Sequence, residues 1–217
     1  MDAKRIAVLG IGEVGSALAS GLARHGHHIV LGSRDPSAAH VHKLLARLGS
    51  NGRAATHAEA VDGVDWVLLC VPGEDVEATV AALPHGSLDG KLVVDVTNSL
   101  SSGSAGQLVA TLGLEDSVTQ RMQSAYPAAR FVKTFNSTNY NQMIDPRVEC
   151  APPTMPLCGN DPDAKAEIAE LLRDVGWEPF DFGGVEMAGM LEELTAAWVV
   201  IGEKTGKWTH CWKIARR

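Results

Sequence analysis

Apolar residues in this chain alternate between short continuous runs and longer segments with helical spacing. The runs at 5–10 (RIAVLG), 28–31 (HIVL), 64–71 (VDWVLLCV) and 91–96 (KLVVDV) have the length and branched composition of buried strands. Between them, apolar residues recur every three or four positions, as in helices that cover a sheet. Strands that alternate with helices predict an α/β fold, a Rossmann-type doubly wound parallel sheet.

The same pattern continues to the end of the chain. Further strands are predicted at 54–56, 131–135, 156–159 and 178–182, and helices at 37–48, 74–83, 162–175 and 185–204, with one or two more between 107 and 125. Residues 101–106 are rich in Ser and Gly and predict a flexible loop. Because the last helix has no strand after it, it forms a C-terminal helical extension of the fold.

A glycine-rich motif, GIGEVG, joins the first strand to the first helix. Gly10 permits the tight turn, Gly12 lets the backbone approach a pyrophosphate, and Gly15 lets the helix pack close to the strand. The helix N-terminus adds free N–H groups and a positive dipole end. A glycine turn without a ligand is the alternative, but the strand–motif–helix context favours a dinucleotide site. Its residues are Gly10, Ile11, Gly12, Glu13, Val14 and Gly15.

The end of the second strand indicates which dinucleotide is bound. Ser33 and Arg34 stand there, a hydroxyl and a guanidinium suited to a 2′-phosphate. Asp35 is the competing signal, because an acid at this point accepts from the ribose hydroxyls of NAD. Asp35 followed by Pro36 is also typical of a helix N-cap. We favour the capping role and expect NADP rather than NAD.

Other strand ends should line the same groove, because ligands lie at the carboxyl ends of parallel strands. Asn, Ser and Pro are also ordinary turn residues, so turn chemistry is the alternative at each position. We expect Gly183 and Gly184 to end a further strand at this edge. The residues nominated for ribose or nicotinamide are Cys70, Val71, Pro72, Thr97, Asn98 and Asn136, with Ser137 beside them.

Charge and cysteine content limit the kinds of molecule that the protein can be expected to bind and the compartment in which it is found. With 19 basic and 26 acidic residues the net charge is −7, which argues against nucleic acid. The 4 cysteines have no metal-ligand spacing, so we expect no metal and a reducing, cytoplasmic location. No apolar run is long enough for a signal peptide or membrane span. His25, His27 and His28 surround a helix end, where polar histidines suit the dipole.

The chain resembles the NADP oxidoreductases that depend on the deazaflavin coenzyme F420, and the cytosolic domain of the six-transmembrane metalloreductases. The resemblance implies NADPH on the glycine loop, with Ser33 and Arg34 at the 2′-phosphate. It also implies a second, hydride-exchanging ligand over the nicotinamide, beside Asn136. Thr195 would face that ligand, although a helix threonine bonded to its own backbone is an equal alternative. The resembling stretches are 6–19, 27–36, 66–72, 93–100, 132–138, 155–184 and 191–199.

These observations lead to a dinucleotide-binding domain over residues 1–184. Residues 185–217 are expected to complete the second-ligand site or a homodimer interface. The expected reaction is hydride exchange between NADP(H) and coenzyme F420 or a flavin such as FMN or FAD, which needs little from side chains. Reduction of a small imine or carbonyl, with His210, Tyr140 or a bound water as proton donor, is one alternative; a non-catalytic NADPH-binding module is another.

Overall fold

An eight-stranded sheet forms the centre of the computed structural model, which describes residues 1–102, 108–148 and 152–215. The strands are β1 (Arg5–Leu9), β2 (His28–Gly32), β3 (Gly52–Ala55), β4 (Trp66–Leu69), β5 (Leu92–Asp95), β6 (Leu100–Ser102), β7 (Leu108–Ala110), β8 (Arg130–Thr134), β9 (Thr154–Gly159) and β10 (Glu178–Asp181). The order of strands in the sheet is β10-β9-β8-β5-β4-β1-β2-β3, and β6 and β7 pair separately.

Helices cover both faces of this sheet, so the doubly wound architecture is confirmed. The helices are α1 (Glu13–Arg24), α2 (Ala39–Leu48), α3 (His57–Ala60), α4 (Val76–Ala81), α5 (Val118–Ala125), α6 (Pro162–Asp174) and α7 (Ala188–Thr205). Alternate strand residues face opposite cores: Val8 and Leu68 pack with α1, α2 and α6, whereas Leu9 and Leu69 pack with α3, α4 and α5.

The prediction of an entirely parallel sheet was wrong for β9 and β10. The neighbouring strands β3, β2, β1, β4, β5 and β8 are parallel to one another. Strand β9 runs antiparallel to β8, and β10 is parallel to β9, so both point in the opposite direction. Between β8 and β9 the described residues form no α-helix, and an antiparallel partner needs no helical crossover. Gly183 and Gly184 therefore follow β10 at the opposite edge from the glycine loop, and their nomination as groove residues was wrong.

The C-terminal segment folds back onto the sheet. Helix α7 packs Ala188 and Leu191 against Cys158 of β9. Trp198 stacks on His210 with ring centroids 4.7 Å apart, and the chain then returns to β9, where Thr154 N donates to Trp212 O. The C-terminal residues thus reach the carboxyl edge of the parallel strands.

The predicted flexible loop at 101–106 falls largely outside the described structure. Residues 103–106 of this loop lie outside the described residues, whereas Leu100–Ser102 forms β6. Among the described residues, no helix combines the length and apolar character needed to cross a bilayer.

Candidate functional site

The glycine loop adopts the conformation that its sequence predicts. Gly10 has φ +95°, and a Cβ there would lie 2.7 Å from the carbonyl carbon and oxygen of Cys70. A Cβ on Gly15 would overlap the carbonyl oxygen of Gly10. By contrast, nothing lies within 4 Å of a Cβ built on Gly12. Gly10 and Gly15 are required by packing, whereas Gly12 faces open space where a pyrophosphate would approach.

Helix α1 begins directly after this loop and leaves its first amides free. Gly12 is the N-cap residue and provides no side-chain cap, while Ser16 N already donates to Gly12 O. The N–H groups of Glu13, Val14 and Gly15 form the first turn, where a helix has no internal acceptors. A diphosphate would accept from these amides and interact favourably with the helix dipole.

The end of β2 presents Arg34 to solvent beside a buried Ser33. The Ser33 hydroxyl donates to Asp35 O and accepts from Asp35 N, so it shapes the turn. Arg34 is exposed and has no acidic partner among the described residues. His57 lies against this strand end, and burial, together with Arg34, lowers its pKa. A free guanidinium in this position can pair with a phosphate.

Asp35 is engaged within the same turn, but the predicted helix start was wrong by two residues. Its Oδ1 accepts from Ser37 N at 3.0 Å and from Ser37 Oγ at 2.6 Å. Helix α2 begins at Ala39, and its N-cap is Ala38, which provides no side-chain cap. The two hydrogen bonds from Ser37 lower the pKa of Asp35. The carboxylate therefore supports an Asx-type turn before the helix.

The exit of β4 forms the wall beside the glycine loop. The carbonyl of Cys70 and the amide of Val71 lie against Gly10, and Pro72 continues the chain in extended conformation. Burial raises the pKa of the Cys70 thiol well above its ordinary value. A protonated thiol is a weak nucleophile, so Cys70 acts here as a small apolar side chain.

Asn98, Asn136 and Thr195 meet in one hydrogen-bonded cluster at the ends of β5 and β8. The Asn136 side-chain amide donates to Asn98 Oδ1 at 3.0 Å, Leu191 O at 2.8 Å and Thr195 Oγ1 at 3.0 Å. Asn98 Nδ2 donates to Asn136 O at 3.0 Å. The Thr195 hydroxyl is also within reach of Leu191 O, one turn earlier. The Thr195 hydroxyl thus has contacts of two kinds: one with the backbone of its own helix and one with Asn136, a predicted site residue.

A left-handed backbone at Phe135 turns Asn136 toward α7. Phe135 has φ +62° although it is not glycine, and its fully buried ring joins the core formed with α1, α2 and α6. Simple alternation from Phe131 would have placed Phe135 in the opposite core. The reversal directs Asn136 to the other face, where Leu191 and Thr195 lie. Such unfavourable conformations are kept where the surrounding structure fixes them, often at functional sites.

Several buried polar atoms in and beside this cluster lack a partner among the described residues. They include Thr97 Oγ1, Asn136 Oδ1, Ser137 Oγ and Thr138 Oγ1, and all four residues are buried. An unpaired buried acceptor costs about 1–3 kcal/mol. A ligand with amide N–H groups, such as the carboxamide of nicotinamide, would supply the missing donor. The nominated residues therefore fit a dinucleotide whose nicotinamide end lies here.

A charged cluster under the site was missed by the sequence analysis. Lys133 of β8 is fully buried and contacts Asp95 Oδ2 at 3.0 Å and Glu192 Oε1 at 3.1 Å. Asp95 and Lys133 directly follow uncharged apolar residues in their strands, whereas Glu192 is followed by a second acid, Glu193. Buried charges need partners, so the charges in the two strands were the available signal.

The alternative proton donors occupy different places. Tyr140 lines a cavity of about 480 Å³ next to the glycine loop, together with Gly12, Ser16 and Arg47. His210 instead faces two carbonyl oxygens, with Nδ1 at 3.0 Å from Lys207 O and Nε2 at 2.9 Å from Trp198 O. Tyr140 is thus beside the nucleotide loop, whereas the His210 ring is occupied by the C-terminal fold.

The histidines near the first helix are paired locally. His25 Nε2 lies 3.0 Å from Asp145 Oδ1, and His27 Nδ1 accepts from Lys4 N at 3.1 Å. Within the described ranges, no group of three or more His, Cys, Asp or Glu side chains is arranged to hold a metal ion.

Comparisons with known proteins agree with this geometry. The family described as NADP oxidoreductase, coenzyme F420-dependent, matches residues 5–99. The crystal structure of a candidate F420-dependent NADP reductase from Arthrobacter sp. FB24 superposes with a TM-score of 0.91 and 31% identity, covering 99% of this chain and 100% of that one.

Two curated relatives extend the match. The F420-dependent NADP reductase of Methanothermobacter marburgensis is 29% identical, over 88% of this chain and 89% of that protein. Metalloreductase STEAP3 of Rattus norvegicus is 25% identical over 89% of this chain, which spans only 36% of that protein. The glycine loop, the Rossmann sheet and the near-complete structural match lead to one conclusion: the chain belongs to the family of coenzyme F420-dependent NADP oxidoreductases.

Proposed function

We propose that this protein transfers hydride between NADP(H) and the deazaflavin coenzyme F420 or a flavin-like acceptor such as FMN or FAD. The family membership and the relatives named as F420-dependent NADP reductases support this proposal. In it, the glycine loop at residues 10–15 holds the pyrophosphate, and Ser33 and Arg34 hold the 2′-phosphate. NADP(H) supplies the hydride chemistry when bound, and the chain supplies binding and orientation.

The observation that carries the proposal is the chemistry of the nicotinamide end. Its side chains are the neutral amides and hydroxyl of Asn98, Asn136 and Thr195, which bond one another. The nearest described ionic groups, Lys133 and Glu192, are buried and paired. With no exposed acid or base in this cluster, the best acceptor is one that needs no protein proton donor. Deazaflavins and flavins meet that condition.

The remaining nominated residues have positioning roles in this proposal. Cys70, Val71 and Pro72 form the rigid wall beside the nicotinamide ribose. Thr97 and Asn98 carry the chain around the end of β5, and Asn136 Oδ1 accepts from the nicotinamide carboxamide. Thr195 holds the Asn136 amide, so its effect on a second ligand above the nicotinamide passes through Asn136.

Rapid mixing tests this function directly. NADPH carrying deuterium at C4 is mixed with the protein and coenzyme F420, FMN or FAD, and nicotinamide absorbance is followed at the same time as acceptor absorbance. We expect oxidation of NADPH to match reduction of one acceptor. With coenzyme F420 the deuterium should be recovered on carbon, whereas a deuteride received at the nitrogen N5 of FMN or FAD exchanges with water, so for these flavins the matched absorbance changes are the readout. Tight NADPH binding with no turnover on any acceptor would instead identify a non-catalytic NADPH-binding module.

Reduction of a small imine or carbonyl is the second candidate. Tyr140 lines the 480 Å³ cavity beside Gly12 and Ser16, which is the pyrophosphate end of the proposed site. For the Tyr140 hydroxyl to donate the proton that accompanies hydride addition, the nicotinamide would have to lie in this cavity and not at Asn136. NADPH oxidation by a cyclic imine without flavin, lost in Tyr140→Phe, would identify it; Tyr126→Phe provides the matched control.

We also propose a homodimer in which residues 185–217 contribute to the interface. Leu191 and Trp198 of α7 are buried within the chain, but Met190, Ile201 and Trp208 are exposed. Exposed apolar side chains on one helix and its adjoining tail favour a protein partner. Sedimentation velocity at micromolar concentration should give a dimer, and Ile201→Glu should shift it to the monomer.

A cytoplasmic location is part of the proposal. The described cysteines, Cys70, Cys158 and Cys211, are all unpaired, as is usual in a reducing compartment. Fractionation of the source cells should recover the protein with the cytoplasmic markers.

A further inference from the structure

The charged cluster beneath the site is closed on every side by protein. Lys133 Nζ donates to Asp95 Oδ2 at 3.0 Å and to Thr97 O at 2.8 Å, and lies 3.1 Å from Glu192 Oε1. The side chains of Lys133, Asp95 and Glu192 have exposed fractions of 0%, 1% and 1%. One ammonium group is thus shared between two carboxylates out of contact with water.

The two carboxylates have different environments. Burial would raise the pKa of Asp95, but Lys133 and hydrogen bonds from Thr119 and Thr97 outweigh it and lower that pKa. Burial raises the pKa of Glu192 more than Lys133 and Ser99 lower it. Asp95 is therefore the better partner of Lys133, and Glu192 is the member whose charge the structure supports least. An apolar side chain at this position would remove the acceptor of Ser99 N but would leave Lys133 paired with Asp95, so no buried charge would lose its only partner.

Glu192 links the charged cluster to the two segments that hold the amide side chains, the chain after Asn98 and helix α7. Its Oε2 accepts from Ser99 N at 3.1 Å, directly after Asn98. On the same helix, the preceding residue, Leu191, accepts from the Asn136 side chain, and Thr195 does so one turn later. Glu192 therefore fixes α7 to the chain after β5 at the place where α7 holds Asn136. Lys133 fixes the same carboxylate to β8.

We propose that Glu192 and Lys133 are positioning residues for the nicotinamide end of the site: without contacting the cofactor, they hold α7 so that Asn136 Oδ1 remains aimed at the carboxamide. This inference rests on the proposed NADP(H) site. In the proposed site the adenosine end of the cofactor lies across β1 and β2, away from Glu192, Lys133 and α7. The charged cluster should therefore affect only the binding of the nicotinamide end.

Two ligands separate these ends of the pocket. NADPH contains the nicotinamide, whereas 2′-phospho-ADP-ribose has the same adenosine, 2′-phosphate and pyrophosphate without it. Titration calorimetry of both ligands needs no hydride acceptor. Glu192→Leu is the main variant, because leucine suits a buried helix position and leaves Lys133 paired with Asp95. Glu192→Gln keeps one of the two contacts, and Glu203→Leu, on an exposed position of the same helix, is the control.

In Glu192→Leu the Kd for NADPH should rise about tenfold, and about threefold in Glu192→Gln, as expected for coupling through packed neighbours. The Kd for 2′-phospho-ADP-ribose should stay within about twofold in both variants and in Glu203→Leu. An equal loss of both ligands in either Glu192 variant, or no loss of either, would overturn the positioning role. Wild-type protein that binds neither ligand would refute the proposed NADP(H) site instead.

Discussion

The Asn136 amide and the Thr195 hydroxyl lie 3.0 Å apart, although 59 residues separate them in the chain. This hydrogen bond joins the end of β8 to the middle of α7, so the C-terminal helix contacts a residue of the candidate site. Asn136 reaches α7 only because the backbone at Phe135 is left-handed. A conformational cost at one residue thus places the next residue, which is the usual way strain is tied to function.

Thr195→Val should test the importance of this bond. Valine preserves the shape of threonine but removes the hydroxyl. The Asn136 side-chain amide then keeps only Asn98 Oδ1 and Leu191 O as acceptors, and the carbonyl oxygens of Asn136 and Leu191 lose the donor that Thr195 Oγ1 provides. We expect a loss of about 1–2 kcal/mol in the free energy of unfolding, together with weaker NADPH binding. Urea denaturation and ligand titration measure the two effects. Thr195→Ser retains the hydroxyl and should resemble wild type; a similar loss in both variants would show that packing of the methyl group dominates.

The glycine loop offers a contrast between two substitutions. Gly10→Ala should lower stability by at least about 2 kcal/mol, because alanine disfavours φ +95° and its Cβ would meet the Cys70 carbonyl. Gly12 has φ −67° and open space around its Cβ position. Gly12→Ala should therefore fold within about 0.5 kcal/mol of wild type and yet weaken NADPH binding about a hundredfold. Normal NADPH affinity in Gly12→Ala would place the pyrophosphate elsewhere.

Those backbone constraints explain why the nucleotide end could be predicted from sequence. The roles of Gly10, Gly12 and Gly15 depend on residues close in the chain, and the strand–loop–helix pattern is local. The direction of β9, in contrast, depends on its pairing with β8, and the alternation of strands and helices predicted a parallel strand there. The absence of a helix pattern across 136–153 was the available signal, since a parallel partner usually needs a helical crossover.

Arg34→Ala tests the choice between NADP and NAD. Loss of one charge-assisted contact with the 2′-phosphate, worth about 1.5–3 kcal/mol, should raise the Kd for NADPH about tenfold to hundredfold. The Kd for NADH should change by less than about twofold. Arg53→Ala is the matched control, because Arg53 is an exposed arginine of the neighbouring β3. Equal weakening of NADPH and NADH would contradict a contact specific to the 2′-phosphate.

The charged cluster marks the limit of local sequence reasoning. Lys133 and Asp95 stand in strand patterns, and Glu192 stands in a helix pattern, so each one alone resembles a minor interruption. Their pairing depends on the order of β5 and β8 in the sheet and on where α7 lies, which are tertiary facts. From sequence alone, charged residues in buried elements indicate that each needs a partner of opposite charge. The sequence does not indicate which residues pair.

Acid sensitivity should depend on His27. This histidine is 2% exposed and accepts from Lys4 N, so its ring is neutral in the folded protein. Burial, with the positive charges of His25 and the N-terminus, lowers its pKa from 6.5. Below pH 6.5 the imidazole of His27 binds a proton in the unfolded chain but stays neutral in the folded protein until the pH reaches its lower folded pKa. The contribution of neutral His27 to the free energy of unfolding is therefore complete above pH 6.5 and is lost as the pH falls toward the folded pKa.

In His27→Gln this loss should disappear. The wild-type free energy of unfolding should fall relative to the variant by up to about 1.4 kcal/mol per pH unit below the unfolded pKa. Urea denaturation of both proteins between about pH 7.5 and 5.5 measures the difference, because that interval spans the ordinary pKa of histidine. His28→Gln removes an exposed histidine next to it and should keep the wild-type profile. Parallel profiles for wild type and His27→Gln would show that His27 does not titrate differently in the folded state.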